Sequence, residues 1–276
     1  MAERVLVTGA AGFIGRAVVA ALREQDVLVT AVDREAPDPA WDEGVTVVTG
    51  DLASQQVCIG AFETRPTVVL HLAALTSVER SIEAPMATFA QNVTITQVLL
   101  ELSRGSGVGQ FVLASTTLSP QTPYGATKAA GEALLAAYSG SYGLAGATLG
   151  LTDVYGPGMP DKDDLVSRVM RAAQAGTGVE IGPQRRDLVY IDDVVNGVLI
   201  ALDNQYDGRF VIGSGRSVTE LELVEAVRAV TGKPLPVEQI DVPVEEVVVD
   251  VANDLGYAPT VSLEDGLALT WEYFKG

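Results

Sequence analysis

The chain has 276 residues, 47% apolar and 20% charged, which fits a globular protein with a substantial core. A formal charge of −18, with Arg185–Arg186 the only adjacent basic pair, argues against a nucleic-acid partner. A single histidine, His71, removes histidine-rich metal sites, and a single cysteine, Cys58, removes an internal disulfide and suits a reducing cytoplasm. No apolar run reaches the roughly 18 to 20 residues of a membrane helix. The strand pattern "RVLVT" begins so close to Met1 that no signal peptide is expected.

In chain order, "RVLVTG" reads as a buried strand and "FIGRAVVAALREQ" as a helix. "VLVTAVD", "VTVVTGD" and "TVVLHLAA" are further strands, followed by "GQFVLAST" and "LAGATLGLT" with helical stretches between. Short apolar strands alternating with helices predict an α/β fold, a doubly wound, Rossmann-type parallel sheet covered on both faces. "TGAAGFIG" joins the first strand to the first helix. Gly9, Gly12 and Gly15 there permit a tight turn, approach of a pyrophosphate to backbone amides, and close packing of helix on strand. Asp33, 18 residues after Gly15, ends the second strand, where a carboxylate accepts bonds from ribose hydroxyls and repels a 2′-phosphate. That predicts NAD over NADP, with Arg34 beside it softening the preference. Asp51 after the third strand is read either as a partner of the adenine amino group or as a turn and capping residue.

Pro123–Tyr138 is helical and carries Tyr124 and Lys128 four residues apart, with Thr122 able to cap and Pro123 to start the helix. Past about Gly156 the alternation breaks. Helices are expected at Asp161–Gln174, Ile191–Asp203, Val218–Val230 and Ser262–Phe274, with Asp192 and Asp193 as capping residues. The expected division is a dinucleotide-binding domain over 1–156 and a smaller substrate-binding lobe over 157–276, with some helices returning to the first domain.

Nine fragments in order carry a resemblance: "TGAAGFIG", "HLAA" (His71–Ala74), "NV" (Asn92–Val93), "ST" (Ser115–Thr116), "YGATK" (Tyr124–Lys128), "VYGPG" (Val154–Gly158), "RRDLVYIDD" (Arg185–Asp193), "IGSGRSVT" (Ile212–Thr219) and "LGYAP" (Leu255–Pro259). The chain resembles the NAD-dependent epimerase/dehydratase family of the extended short-chain dehydrogenase/reductase superfamily. The resemblance implies Tyr124 as general acid–base, Lys128 lowering its pKa and holding the nicotinamide ribose, and Thr116 bonding the reacting oxygen of the substrate. It implies NAD contacts from Gly9, Ala11, Gly12, Phe13, Ile14, Asp33, Arg34, Asp51, Leu52, Leu72, Ala73 and Ala74, together with Tyr124 and Lys128. It also implies a structural part for His71, backbone bonds from Asn92, substrate contacts from Asp153 and Arg186, and a homodimer, with the face of Ala129, Gly131, Ala133 and Ala137 read either as its helix bundle or as plain core packing.

Three departures bear on function. Only seven residues separate Thr116 from Tyr124, so a pocket wall is shortened. Thr117 and Leu118 stand where resembling dehydratases carry Asp-Glu, which argues against dehydration. Asp153 replaces an asparagine, and a customary arginine is missing near "QIDVPVEE". Arg186 remains as the phosphate grip. The expected activity is NAD-dependent epimerisation of a nucleotide sugar. The alternatives are a dehydrogenase of a free sugar or sugar acid and a non-catalytic NAD-binding regulatory protein.

Overall fold

Strand β1 (Arg4–Thr8) is buried at four of its five residues, and one short turn leads from it into helix α1 (Phe13–Glu24). A computed structural model describes residues 4–35, 41, 44–118, 120–159, 164–241, 251 and 254–275. The chain continues through β2 (Leu28–Asp33), β3 (Val45–Thr49), α2 (Gln55–Glu63), β4 (Val68–His71), α3 (Val78–Glu83) and α4 (Pro85–Phe89). A π-helical turn over Ala90–Thr94 leads into α5 (Ile95–Ser106), then β5 (Gln110–Thr116), α6 (Pro123–Tyr142) and β6 (Ala145–Leu151). The remaining elements are β7 (Asp153–Tyr155), α7 (Leu165–Ala175), β8 (Val179–Ile181), β9 (Arg185–Tyr190), α8 (Ile191–Asp203), β10 (Gly208–Ile212), β11 (Ser217–Thr219), α9 (Glu220–Thr231), β12 (Val237–Gln239) and α10 (Leu263–Lys275).

Two units emerge. One holds Met1–Gly150, Val195–Phe210 and Asp254–Gly256; the other holds Leu151–Val194, Val211–Asn253 and Tyr257–Gly276. The main sheet has the order β10-β6-β5-β4-β1-β2-β3, a doubly wound parallel arrangement whose strand order reverses between β1 and β4. Ligands of such sheets bind outside the carboxyl ends of the strands at that reversal. The turn after β1 and the segment after β4 both lie there. Leu6, Val69, Leu99, Leu100, Phe111 and Leu135 form the centre of the core between sheet and helices. β3 differs from the doubly covered strand expected: it is the sheet edge, and Val47 is 39% exposed.

In the second unit, β9 pairs parallel with β7 and antiparallel with β11. Helices α7, α9 and α10 pack on one another, and α10 packs on β9. A Cβ at Gly266 of α10 would stand 2.3 Å from the Tyr155 hydroxyl, so glycine sets that close approach. The helix expected from Val218 starts at Glu220. Val218 instead pairs with Arg186 in the β11–β9 ladder, and Thr219 with Glu222 forms a reciprocal capping box. Asp164 caps α7 by accepting from the Ser167 amide; residues 161–163 of that expected helix lie outside the described residues. Among the described residues no helix is long and apolar enough to cross a membrane.

Candidate active site

The turn after β1 can only be built with glycine. Gly9 has φ +70°, and a Cβ there would sit 2.8 Å from the Ala73 amide nitrogen. A Cβ on Gly15 would sit 2.1 Å from the Gly9 carbonyl oxygen, so α1 is packed hard onto the turn. Gly12 is the N-cap residue of α1, which has no side-chain cap and no acidic residue in its first turn. Its leading amides therefore keep their partial positive charge for an anion. Ala11, Phe13 and Ile14 line this turn in the sequence. The Asp33 carboxylate, at the end of β2, accepts from the Ala11 amide at 2.9 Å and from the Glu35 amide at 3.1 Å. A carboxylate offers about four lone-pair sites, so capacity remains for two hydroxyls.

Asp51 accepts from the Ala53 amide at 2.8 Å, which is the turn-forming reading of that residue, and its other oxygen stands 4.0 Å from the Arg34 guanidinium. Leu52 beside it is buried. Cys58 is buried, with its thiol directed at the Leu52 carbonyl. Burial first, then the Asp51 charge, raises the thiol pKa, as befits a packing residue.

The strand expected over "TVVLHLAA" ends at His71, and Leu72, Ala73 and Ala74 continue as the segment that meets Gly9. Asn92, in the π-helical turn, clamps the backbone of Leu75. Its Oδ1 accepts from the Leu75 amide at 2.8 Å, and its Nδ2 donates to the Leu75 carbonyl at 3.0 Å. The imidazole of His71 lies between the hydroxyls of Thr8 (2.7 Å) and Thr96 (3.0 Å). Burial, aided by the Lys128 charge, holds its pKa down at about 3.

Helix α6 begins as its sequence directs. Thr122 accepts from the Gly125 amide at 3.1 Å, Pro123 opens the first turn, and Ser81 of α3 accepts from the Tyr124 amide at 3.1 Å. Tyr124 and Lys128 are 7% and 8% exposed, and Lys128 Nζ donates to the Ala114 carbonyl in β5 at 2.8 Å. Thr116 ends β5, and its side chain acts on the Tyr124 phenol, drawing its pKa down against burial. The three residues named from "ST" and "YGATK" are thus together. The electrostatics differ from a phenol already lowered by its surroundings. Burial pushes Tyr124 up to about 12, with Thr116 opposing it, and burial pulls Lys128 down to about 8, with Glu132 opposing it.

Glu132 and Arg209 were not singled out from sequence. Glu132 accepts from the Ser115 hydroxyl and, at 3.2 Å, from Arg209 Nε; Arg209 also donates to the Thr116 carbonyl at 3.0 Å. Together with Thr116, Lys128 and Leu118 they line a cavity of about 140 Å³. Glu132 lies four residues beyond Lys128 and on its face of α6, a spacing visible in the sequence; Arg209 comes from β10, and no local pattern announces it. Gly131 faces the sheet, where a Cβ would stand 3.4 Å from Leu113, whereas Ala129, Ala133 and Ala137 are exposed. The four do not share one face, because residue 131 lies on the opposite side of a 3.6-residue helix.

In the second unit, Arg186 on β9 and Asp153 on β7 form an ion pair at 3.5 Å. Arg186 Nε is buried and has no acceptor among the described residues. Asp187, next in line, accepts from Thr152, the Ser214 amide and the Ser214 hydroxyl through one oxygen, fixing three segments. Asp193 does not cap its helix as expected. It is buried and accepts from the Thr260 amide, the Thr260 hydroxyl and the Val261 amide, anchoring the approach to α10. The "QIDVPVEE" segment lies outside the described residues beyond Asp241. Among the described residues no cluster of His, Cys, Asp and Glu is arranged to hold a metal.

Comparison with known proteins gives the chain's family and fold relatives. The family described as NAD dependent epimerase/dehydratase matches residues 5–213. The chain is 30% identical to a UDP-glucose 4-epimerase of Mycolicibacterium smegmatis, over 99% of this chain and 98% of the relative. It is 29% identical to a dTDP-glucose 4,6-dehydratase of Actinoplanes sp., over 99% of this chain and 98% of that one. The crystal structure of UDP-glucose 4-epimerase from Thermus thermophilus in complex with NAD superposes with a TM-score of 0.90 at 31% identity, covering 99% of each chain.

The buried imidazole has a consequence for stability. The unfolded chain binds a proton on His71 below about 6.5, whereas the folded chain does so only near 3. Folding stability therefore rises with pH across that window and is lost as pH falls through it. Replacing His71 by Gln removes this titration, so the stability-versus-pH slope near pH 5 becomes shallower by up to about 1.4 kcal/mol per pH unit. Urea unfolding at pH 4.5, 5.5 and 6.5 measures both slopes, and equal slopes contradict the assignment.

Proposed function

Because the chain belongs to the NAD dependent epimerase/dehydratase family, we propose that it is a nucleotide-sugar epimerase, which oxidises a secondary hydroxyl of the sugar and returns the hydride to the opposite face. The observation that carries this is the grouping of Tyr124, Thr116 and Lys128, one phenol, one hydroxyl and one ammonium, at the ends of β5 and α6. In this reading Thr116 orients the sugar hydroxyl and Tyr124 Oη takes its proton and later gives it back. Lys128 stabilises the phenolate and holds the cofactor ribose. Loss of either Tyr or Lys would favour a non-catalytic regulatory protein, and both are present. Thr117 and Leu118 offer no titratable group for eliminating water, so epimerisation is favoured over dehydration.

NAD, when bound, supplies the hydride acceptor and a positive charge. The residues fit it: the uncapped amides of α1 and the glycine turn suit the pyrophosphate, with Ala11, Phe13 and Ile14 alongside. We assign the free lone pairs of Asp33 to the adenosine ribose, Arg34, Asp51 and Leu52 to the adenine side, and Leu72, Ala73 and Ala74 to the wall behind the cofactor. The domain reading is a cofactor domain over 1–156 and a substrate lobe over 157–276.

Arg186 is assigned to the substrate diphosphate, a role supported by its buried, acceptor-free Nε. Asp153 competes for it. The Asn-to-Asp departure is compensated by the ion pair, at the expense of a cation already partly engaged. This pair is the observation that favours the second reading, a dehydrogenase of a free sugar or sugar acid.

The lone, buried thiol suits a reducing cytoplasm, where we place the protein; recovery of the activity outside that fraction would contradict this. The partner is assigned as a second copy of this chain. Ile82, Met86 and Phe89, exposed by 63%, 80% and 50%, project from α3 and α4, which pack against α6 with its exposed Ala129, Ala133 and Ala137. Single exposed apolar residues are ordinary, whereas a cluster of this kind marks an interaction surface.

Three measurements test these assignments. Tyr124→Phe should lower turnover of UDP- or dTDP-sugars by about 10² to 10⁴-fold while NAD titration stays unchanged; half the original activity in the variant would exclude Tyr124 as the base. Arg186→Ala should weaken uridine and thymidine diphosphate binding by about 10- to 100-fold, and Asp153→Asn should tighten it. If neither diphosphate binds and a free sugar acid reduces NAD, the dehydrogenase reading replaces this one. Met86→Glu should convert a sedimenting dimer into a monomer at micromolar concentration, and an unchanged sedimentation coefficient refutes that surface.

A further inference from the structure

His71 is used by none of the chemistry above, yet it sits in the middle of a buried chain of hydrogen bonds that is joined through Asn92 by that residue's own covalent frame. At one end the Ala73 amide donates to Thr8 Oγ1 at 3.3 Å, and Thr8 Oγ1 meets His71 Nδ1 at 2.7 Å. On the other side His71 Nε2 meets Thr96 Oγ1 at 3.0 Å, and Thr96 Oγ1 donates to the Asn92 carbonyl at 2.6 Å. Asn92 Nδ2 then donates to Thr127 Oγ1 at 3.0 Å, and Thr127 Oγ1 donates to the carbonyl of Tyr124 at 2.7 Å. Thr8, His71, Thr96, Asn92 and Thr127 are all buried, none more than 6% exposed.

Every proton in the chain has a forced direction. The Asn92 and Tyr124 carbonyls can only accept, so the hydroxyl protons of Thr96 and Thr127 are committed to them. Thr127 must then accept from Asn92. The Leu75 amide donating to Asn92 Oδ1 independently fixes the orientation of that carboxamide. Thr96 must likewise accept from His71, which places the imidazole proton on Nε2. Nδ1 of the neutral ring is then an acceptor and takes the Thr8 hydroxyl proton. A second ring proton would confront Thr8 with a donor, the same direction in which burial and Lys128 act.

The two ends are functional positions. Thr8 precedes Gly9, whose backbone is pressed against Ala73 in the dinucleotide turn. Tyr124 opens α6. We propose that His71, as the neutral Nε2–H tautomer, is a positioning residue that couples the NAD turn to the helix bearing Tyr124 and Lys128, so that a change at one end is felt at the other. This rests on NAD occupying the turn, but not on which sugar is the substrate. Inside a low-dielectric core such fully satisfied networks hold their members to one geometry.

Two experiments test it. The protein has one histidine, so its ring nitrogens give unambiguous ¹⁵N signals. The expected spectrum is an Nε2–H imidazole that does not titrate between pH 5 and 8 and whose shifts move on NAD addition. An Nδ1–H tautomer, or titration near 6.5, overturns the proposal. The second is a double-mutant cycle with Thr8→Val and Thr127→Val, read by NAD titration without substrate and by thermal unfolding. Coupling along a packed network is typically worth about 2- to 30-fold in affinity, so the double variant should depart from the product of the single effects by about threefold or more. The departure should vanish when Thr96→Val, which touches neither end, cuts the chain; this cut also serves if substitution of His71 itself prevents folding. Independent single effects, or coupling that survives the Thr96 cut, overturn the proposal. Failure of sugar-nucleotide turnover with NAD binding intact would instead overturn the proposed substrate and leave this result standing.

Discussion

The contact of Gly9 with the backbone of Ala73 is the constraint around which the first unit is organised. A side chain at either Gly9 or Gly15 would collide with backbone, not with a yielding side chain. The approach brings the ends of β1 and β4 together at the point where strand order reverses. Next to it the first amides of α1 have glycine at the N-cap and so no side-chain cap, and the Asp33 carboxylate reaches back to the Ala11 amide. Beside this contact lie the two features assigned above, as proposals, to the cofactor's pyrophosphate and ribose: the uncapped start of α1 and the Asp33 carboxylate.

Charge is spent sparingly around the site. The chain carries 36 acidic and 18 basic residues, and the cations assigned to the chemistry each have a carboxylate close by. Arg209 pairs with Glu132, whose charge also supports the Lys128 ammonium, and Arg186 pairs with Asp153. In so acidic a molecule, an anionic cofactor is best received by the leading amides of α1, which have no side-chain cap and no acidic residue in their turn. The paired arginines serve a different end. Arg209 donates to the Thr116 carbonyl and so steadies the end of β5.

Much of this was legible in the sequence because local rules produced it. The strand–glycine–helix run, the Thr122–Pro123 helix start and the Tyr124–Lys128 spacing are each decided within a few residues, and the family likeness supplied Thr116. What stayed hidden depends on partners distant in the chain. Arg209 reaches Glu132 across 77 residues, and Asp193 reaches Thr260 across 67, abandoning the capping role its position suggested. The start of α9 was misplaced for a related reason: Val218 suits a helix face as well as a strand, and the ladder with β9 decided the matter. The packing of Gly131 into the sheet while its alanine neighbours face outward follows from helical periodicity, which sets residue 131 apart from the i, i+4 series of Ala129, Ala133 and Ala137.

Burial acts on Tyr124 and Lys128 in opposite directions, and this gives the pair its character. In water a tyrosine and a lysine differ little in proton affinity; here the phenol is pushed up to about 12 and the ammonium down to about 8. The proton therefore belongs firmly to Tyr124, and near neutral pH Lys128 carries its charge with little margin. Glu132 supplies that margin, since desolvation alone favours the neutral amine. A phenol held this way is a poor base by itself and becomes one only when further positive charge enters its surroundings. Such charge acts strongly because the ring is almost dry, in the same low dielectric that raised its pKa. On the function proposed above, the burial that raises the Tyr124 pKa in the free protein is also what makes the phenol responsive to charge arriving with the cofactor.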